Sequence, residues 1–227
     1  CALPIYVLAI QGLNRSAAND DFLIGAELYA RSAAKLAQQY FVNPTPGAAN
    51  VPGVAGVVAD TKFSVDRGFY AEPFQVAITT ATPGAQIRYT TNGTAPTEAL
   101  GTLYTGPIPI ARTTALRAMA YKAGFASTDV DTHTYIFLDQ VIAQSLRTAT
   151  NIGMPTTWAG GTADYAMDPR ITTNITNAPF MKAAMLSLPS VFLSTSASNL
   201  FDATKGIYSH PVDGGLAWER PIGMEKI

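Results

Sequence analysis

Two carboxylates facing each other across a cleft can hydrolyse a glycosidic bond, one as acid and the other as base or nucleophile. The sequence comes nearest to such a pair at Asp129 and Asp131, on one strand face at i and i+2, and at Asp164 and Asp168 in a polar loop. Neither spacing sets one acid opposite the other, so all four read as solvated carboxylates or loop caps. Phosphoryl transfer needs a phosphate-cradling loop, a positioned lysine and metal-binding acids. Gly160-Gly161 and Gly214-Gly215 are the paired glycines. Neither precedes a Lys-Ser/Thr element or a convincing helix, so both read as turns. His133 and His210 are too few and too far apart to suggest a metal site by spacing. Asp164, Asp168, Asp202 and Asp213 could offer oxygen ligands to calcium, but no EF-hand or repeat spacing supports one. No catalytic residue, metal or cofactor is expected.

Stacking on sugar needs exposed aromatic faces, which Tyr70, Tyr89, Tyr104 and Tyr121, with Phe69, could supply. Aromatic rings on a sheet face also fill cores. Tyr89 shares a face with Ile87 and reads as core. Tyr121 and Arg117 lie opposite alanines and are expected to be exposed. With Tyr104 they are the candidate glycan contacts, although a core or spacer role is the simpler reading. His133, mid-strand among threonines, reads as a surface position.

The strand signals of the sequence concentrate between positions 74 and 137. Phe74, Val76 and Ile78 alternate with Gln75, Ala77 and Thr79, the period of a half-buried strand. Pro83-Gly84 breaks the run, and Ile87, Tyr89 and Thr91 alternate with Gln86, Arg88 and Thr90. Asn92-Gly93 suits a two-residue hairpin turn. Ile108 and Ile110 follow Gly106-Pro107; then Leu116, Ala118 and Ala120 alternate with Arg117, Met119 and Tyr121. A strand over 130–137 closes the set. Short strands separated by turn signals predict a small immunoglobulin- or fibronectin-III-like β-sandwich.

Composition narrows the function classes. Charged residues make up 14% of the 227, against roughly 25% in an average globular chain. A surface of Thr, Ser, Asn, Gln and Gly is common in extracellular β-proteins. The net charge of −1 leaves no electrostatic footprint for nucleic acid. No apolar run nears the ~20 residues that span a bilayer, so no membrane insertion is expected. Cys1 is the only cysteine, which excludes an internal disulfide. Residues 1–5 look like a translated adapter sequence and are set aside from fold reasoning.

Four regions follow. Residues 1–40 read as the end of a truncated upstream β-domain. Residues 41–56 are a linker, with Pro44, Pro46, Gly47 and Pro52 forbidding a continued helix or central strand. Residues 57–137 hold the sandwich. In 138–227 the period changes: Leu138, Val141, Ile142 and Leu146 fit one face of a short helix, and residues 180–188 read as a second, stopped by Pro189. Strands are expected at 190–194 and 218–227, with too few partners to build a sheet. This last region reads as an incomplete mixed α/β segment.

The stretch Pro83-Gly84-Ala85-Gln86-Ile87-Arg88-Tyr89-Thr90-Thr91-Asn92-Gly93-Thr94-Ala95-Pro96-Thr97 resembles the chitobiase/beta-hexosaminidase C-terminal module, also called fibronectin-III-associated. The resemblance continues through Tyr104, Pro107, Ile108 and Ile110, then Leu116, Arg117, Ala118, Ala120, Lys122 and Gly124, and ends at Thr132, Thr134 and Tyr135. Asn92 stands where Asp is usual. The resemblance implies a sandwich that is non-catalytic in its parent enzymes, and shared fold does not carry function across.

A second resemblance surrounds it. Tyr135-Ile136-Phe137-Leu138-Asp139, Asp164-Tyr165-Ala166-Met167-Asp168-Pro169, Asn199-Leu200-Phe201-Asp202, Gly206-Ile207-Tyr208 and Trp218-Glu219-Arg220-Pro221 are similar to the lead-in of CotH kinase family surface proteins of bacteria. In those proteins a stretch similar to residues 40–50 leaves a preceding β-domain, often near lamin-tail-type modules. The resemblance implies that the phosphotransfer residues lie beyond Ile227. It implies a bacterial secreted or surface setting, with neighbouring domains of the same polypeptide as partners and an extracellular glycan as the alternative one. Against that setting, the eukaryotic-type sequons at Asn14, Asn92 and Asn174 read as chance.

Overall fold

A computed structural model of the chain describes residues 39–43, 45–48, 52–145, 149, 153–158 and 160–227. The chain divides into two compact units, Cys1–Ala37 and Gln38–Ile227, and the described residues belong to the second. The strands expected over residues 6–30 and position Leu146 of the expected helix face lie outside the described residues.

The protein is mainly β, and its centre is a two-layer sandwich. One layer is a five-stranded sheet in the order β2 (Gly68–Phe69), β9 (Asp131–Ile136), β8 (Thr114–Tyr121), β5 (Gln86–Thr90), β6 (Thr102–Leu103). The facing layer is built of two antiparallel pairs, β1 (Thr61–Phe63) with β4 (Ile78–Thr80) and β3 (Phe74–Val76) with β7 (Ile108–Ile110). Alternation decides what lies between the layers. Val76, Ile78, Ile108 and Ile110 point in from one side; Ile87, Leu116, Ala118, Ala120 and Tyr135 meet them from the other. At about 25 cal/mol per Å² of apolar surface removed from water, this cluster is the main driving force for the fold.

The apolar run 74–78 serves two partners rather than one. At Ala77 the strand exchanges β7 for β1: Ser64 N donates to Ala77 O at 2.9 Å, and Ala77 N donates to Ser64 Oγ at 2.8 Å. The Asn92-Gly93 pair does turn, with φ +80° at Gly93, but it does not close a two-residue hairpin. Thr94 N donates to Asn92 Oδ1 at 3.1 Å, and the chain runs on through residues 91–101 before β6 pairs with β5. Arg88 pins that loop, donating from Nε to Glu98 O and from Nη1 to Gly101 O, each at 2.8 Å. These side-chain bonds are what a local turn signal cannot report. His133 is not a surface residue either. Its ring stacks on Phe63 at 4.2 Å, and Nδ1 lies 3.3 Å from Val65 O.

Beyond β9 a helix spans Leu138–Ile142. Gln140 ties it to the sandwich, donating from Nε2 to Ala111 O at 3.1 Å and accepting from Thr113 N at 2.9 Å. The expected glycine turn at Gly160 closes a short hairpin of β10 (Thr157–Trp158) and β11 (Gly161–Thr162). Helices follow at Pro169–Thr172, Met181–Ser187 and Ala197–Phe201. The strands at the end of the chain do not lack partners, contrary to expectation. β12 (Val191–Ser194) pairs antiparallel with β13 (Gly223–Lys226), Val191 opposite Lys226 and Ser194 opposite Gly223. The reason is distance in sequence: the two segments find each other across about 30 residues of loop and helix, which no local pattern encodes.

Candidate functional site

The outer face of the five-stranded sheet is where this chain does something beyond folding a sandwich. Arg117, Met119 and Tyr121 of β8 point away from the core, as do Thr132, Thr134 and Ile136 of β9 in the same register. A sheet face open to water would leave such a row exposed. Here Arg117 is 8% exposed, Met119 5%, Thr134 6% and Ile136 3%. The β12–β13 hairpin reaches two of these positions, with Glu225 on Thr134 and Gly223 beside Arg117.

Glu225 anchors the hairpin. Strand β2 reaches only Tyr135 and Ile136 of β9, and Glu225 takes the neighbouring Thr134 N–H on Oε1 at 3.0 Å. The Thr134 hydroxyl donates to Glu225 Oε2. Arg67 Nη1 stands 3.6 Å from Oε1. A carboxylate 3% exposed is stable in such a place only when its oxygens are hydrogen-bonded and its charge is answered. Thr134 and Arg67 meet both conditions.

Small residues let the backbones approach. A methyl group on Gly223 would lie 3.3 Å from Thr132 Oγ1 and 3.4 Å from Arg117 Nη2. On Gly93 it would lie 2.4 Å from Thr195 O, closer than any carbon tolerates. Phe192 of β12 points inward, its ring edge-on to Phe69 at 6.3 Å. The opposite hairpin face carries Val191, Leu193 and Met224, all exposed.

Arg117 was expected at the surface and is buried, because the C-terminal segment lies over it. Its Nη1 donates to Gly93 O at 2.7 Å and its Nε to Thr132 Oγ1 at 3.3 Å. Burial lowers its pKa from the ordinary value, and the Glu225 carboxylate opposes that shift. Tyr121 shares the outer face, half-buried, with the Arg88 guanidinium 5.9 Å from its ring centre. Tyr104 lies on the other side of the sheet. Its hydroxyl accepts from Ile78 N at 3.1 Å, and its ring packs edge-on to Tyr89. Arg117 and Tyr121 thus share a strand face that Tyr104 does not join.

Three of the acids weighed for catalysis, Asp131, Asp164 and Asp168, have hydrogen-bond partners. Asp131 accepts from the Thr61 hydroxyl. Asp164 accepts from Ala166 N, and Asp168 caps its helix by accepting from Arg170 N at 2.8 Å. The Arg170 side chain holds the Asp168 carboxyl below its ordinary pKa. Asp202 is lowered in the same way by hydrogen bonds from Thr204. Among the described residues no three His, Cys, Asp or Glu side chains come together as a metal site. Burial lowers His133, with Arg67 acting in the same direction, and burial raises Tyr135.

Sequence reasoning missed Glu225, Arg67 and Thr134. The signal available was the outward row Arg117, Thr132, Thr134, polar and lined with hydrogen-bonding groups, on a module otherwise poor in charge. No helix among the described residues is long and apolar enough to cross a membrane. No curated protein and no solved structure matches the chain. Residues 65–132, which hold most of the sandwich but end two residues before Thr134, match the model of the Chitobiase/beta-hexosaminidase C-terminal domain, and in that stretch the chain is similar to an accessory module rather than to a catalyst.

Proposed function

We propose that the sandwich is a non-catalytic spacer of a large secreted or surface bacterial protein, and that residues 138–227 lead into a CotH-kinase-like domain. The module's work is to fix the orientation of its neighbours in the same polypeptide. The observation that supports this reading is the Glu225–Thr134 anchor with the buried Arg117 beneath it. The sheet face that a free-standing binding module would offer to a ligand is occupied by the chain's own C-terminal segment. A bare flexible linker would need no such socket.

A second reading, glycan contact centred on Tyr121 rather than on the buried Arg117 or on Tyr104 across the sheet, draws on the half-buried Tyr121 with Arg88 and the exposed Gln86 beside it. Titration of the full chain with cellohexaose and chitohexaose, followed by NMR at these residues, separates the two. The spacer reading predicts no saturable shift, and neither Mg-ATP binding nor hydrolysis of aryl N-acetylglucosaminides. Saturable shifts at Gln86 and Arg88, beside Tyr121, that vanish in Tyr121→Ala would replace it with the glycan reading.

A further inference from the structure

We propose that Asn92 is a site of spontaneous covalent modification, and that the isoaspartate formed there releases the C-terminal hairpin from the sheet. Asn92-Gly93 is the only Asn-Gly pair in the chain. Asn92 is exposed, while Gly93, whose nitrogen would attack, is buried. The Thr94 N–H donates to Asn92 Oδ1 at 3.1 Å. That is the oxygen on which negative charge develops when a nucleophile adds to Cγ, and a donor aimed at it lowers the barrier as in any acyl transfer.

The step balances without an outside oxidant or reductant. The Gly93 nitrogen loses its proton and bonds to Asn92 Cγ; the Cγ–Nδ2 bond breaks, and Nδ2 leaves as ammonia. Water then opens the cyclic imide. Opening at Cγ restores the main chain with aspartate in place of asparagine. Opening at the α-carbonyl routes the main chain through Cβ and Cγ, which lengthens it by one methylene.

The place of that extra methylene gives the modification its consequence. Gly93 O accepts from the buried Arg117, and its Cα faces Thr195 O with no room for a methyl group. Thr195 follows β12 directly, and its hydroxyl donates to Pro221 O at 2.8 Å, just ahead of β13. A backbone lengthened at Asn92 must move Gly93 into Thr195 or away from Arg117, and either movement disturbs both hairpin strands.

The test uses the full chain, aged in mildly alkaline buffer and mapped by mass spectrometry with fragmentation that distinguishes isoaspartate. Asn92 should lose its amide while the other asparagines keep theirs. In the isoaspartate fraction, amides of Val191–Ser194 and Gly223–Lys226 should lose protection while those of β8 keep it. Asn92→Ser, whose hydroxyl can still accept from Thr94 N, should block the ageing and keep the hairpin protected. An Asn92 amide as durable as those of the other asparagines would overturn the proposal. So would an isoaspartate form whose hairpin stays protected.

Discussion

Replacing Glu225 by alanine removes the acceptor for two buried donors at once, the Thr134 N–H and the Thr134 hydroxyl. Hydrogen bonds to a charged group contribute about 1.5–3 kcal/mol each, and a buried donor left unpaired is costly in its own right. The Arg67 contact adds little: at 3.6 Å, with the arginine side chain 42% exposed, it falls in the class worth under about 1 kcal/mol. Water entering the space left by the side chain gives some of the loss back, so the net cost is about 3 kcal/mol. None of the core residues that hold the two sandwich layers together comes from the hairpin. The loss therefore falls on docking of the C-terminal segment rather than on the sandwich. At about 1.4 kcal/mol per factor of ten, hydrogen exchange of the β12 and β13 amides should speed up roughly a hundredfold. Exchange of the β8 amides should not change. Glu225→Gln keeps one acceptor and should cost only about 1 kcal/mol. Unchanged exchange of β12 and β13 in the alanine variant would mean that Glu225 does not dock the hairpin, and an equal loss throughout the sandwich would mean that its role is not confined to docking.

Three further outcomes are expected. Gly93→Ala places a Cβ on a residue at φ +80° and 2.4 Å from Thr195 O, and should destabilise by about 1–3 kcal/mol with hairpin protection lost first in hydrogen exchange. Leu116→Ala, at a fully buried core position, should lower the free energy of unfolding in urea by about 2–5 kcal/mol. His133 is held below its ordinary pKa of 6.5 by burial, so the unfolded chain binds its proton first. Stability should be full above about pH 6.5 and fall as pH drops toward the folded value; His133→Phe should flatten that part of the urea-midpoint profile.

How much of this was legible depended on the range of the interactions. Alternation placed Leu116, Ala118 and Ala120 in the core and Arg117, Met119 and Tyr121 on the other face, because period 2 is a local property of a strand. The short helix ending before Pro189 was equally local; the one at Pro169–Thr172 fell in a stretch read as loop. The Asn92-Gly93 turn was half legible: the positive φ follows from the residue pair, but the longer loop depends on Arg88 reaching Glu98 and Gly101. His133 looked exposed because its stacking partner, Phe63, lies on a distant strand. Arg117 looked exposed because the cover it receives begins more than 70 residues later. Glu225 carried no mark in its own neighbourhood, since a lone acid in a short strand is ordinary. It became a site only when β12 and β13 paired and turned its carboxylate onto Thr134.

The C-terminal hairpin sits on the outer face of the sandwich, held by Glu225. Nuclear Overhauser contacts in the full chain report on that docking. Cross-peaks are expected between the rings of Phe69 and Phe192, whose centres lie 6.3 Å apart, and between the Thr134 amide and the Glu225 side chain. The Thr134 amide should also exchange slowly. A Phe192 ring with no contact to Phe69, together with a Thr134 amide exchanging at the rate of an open edge strand, would contradict the docking.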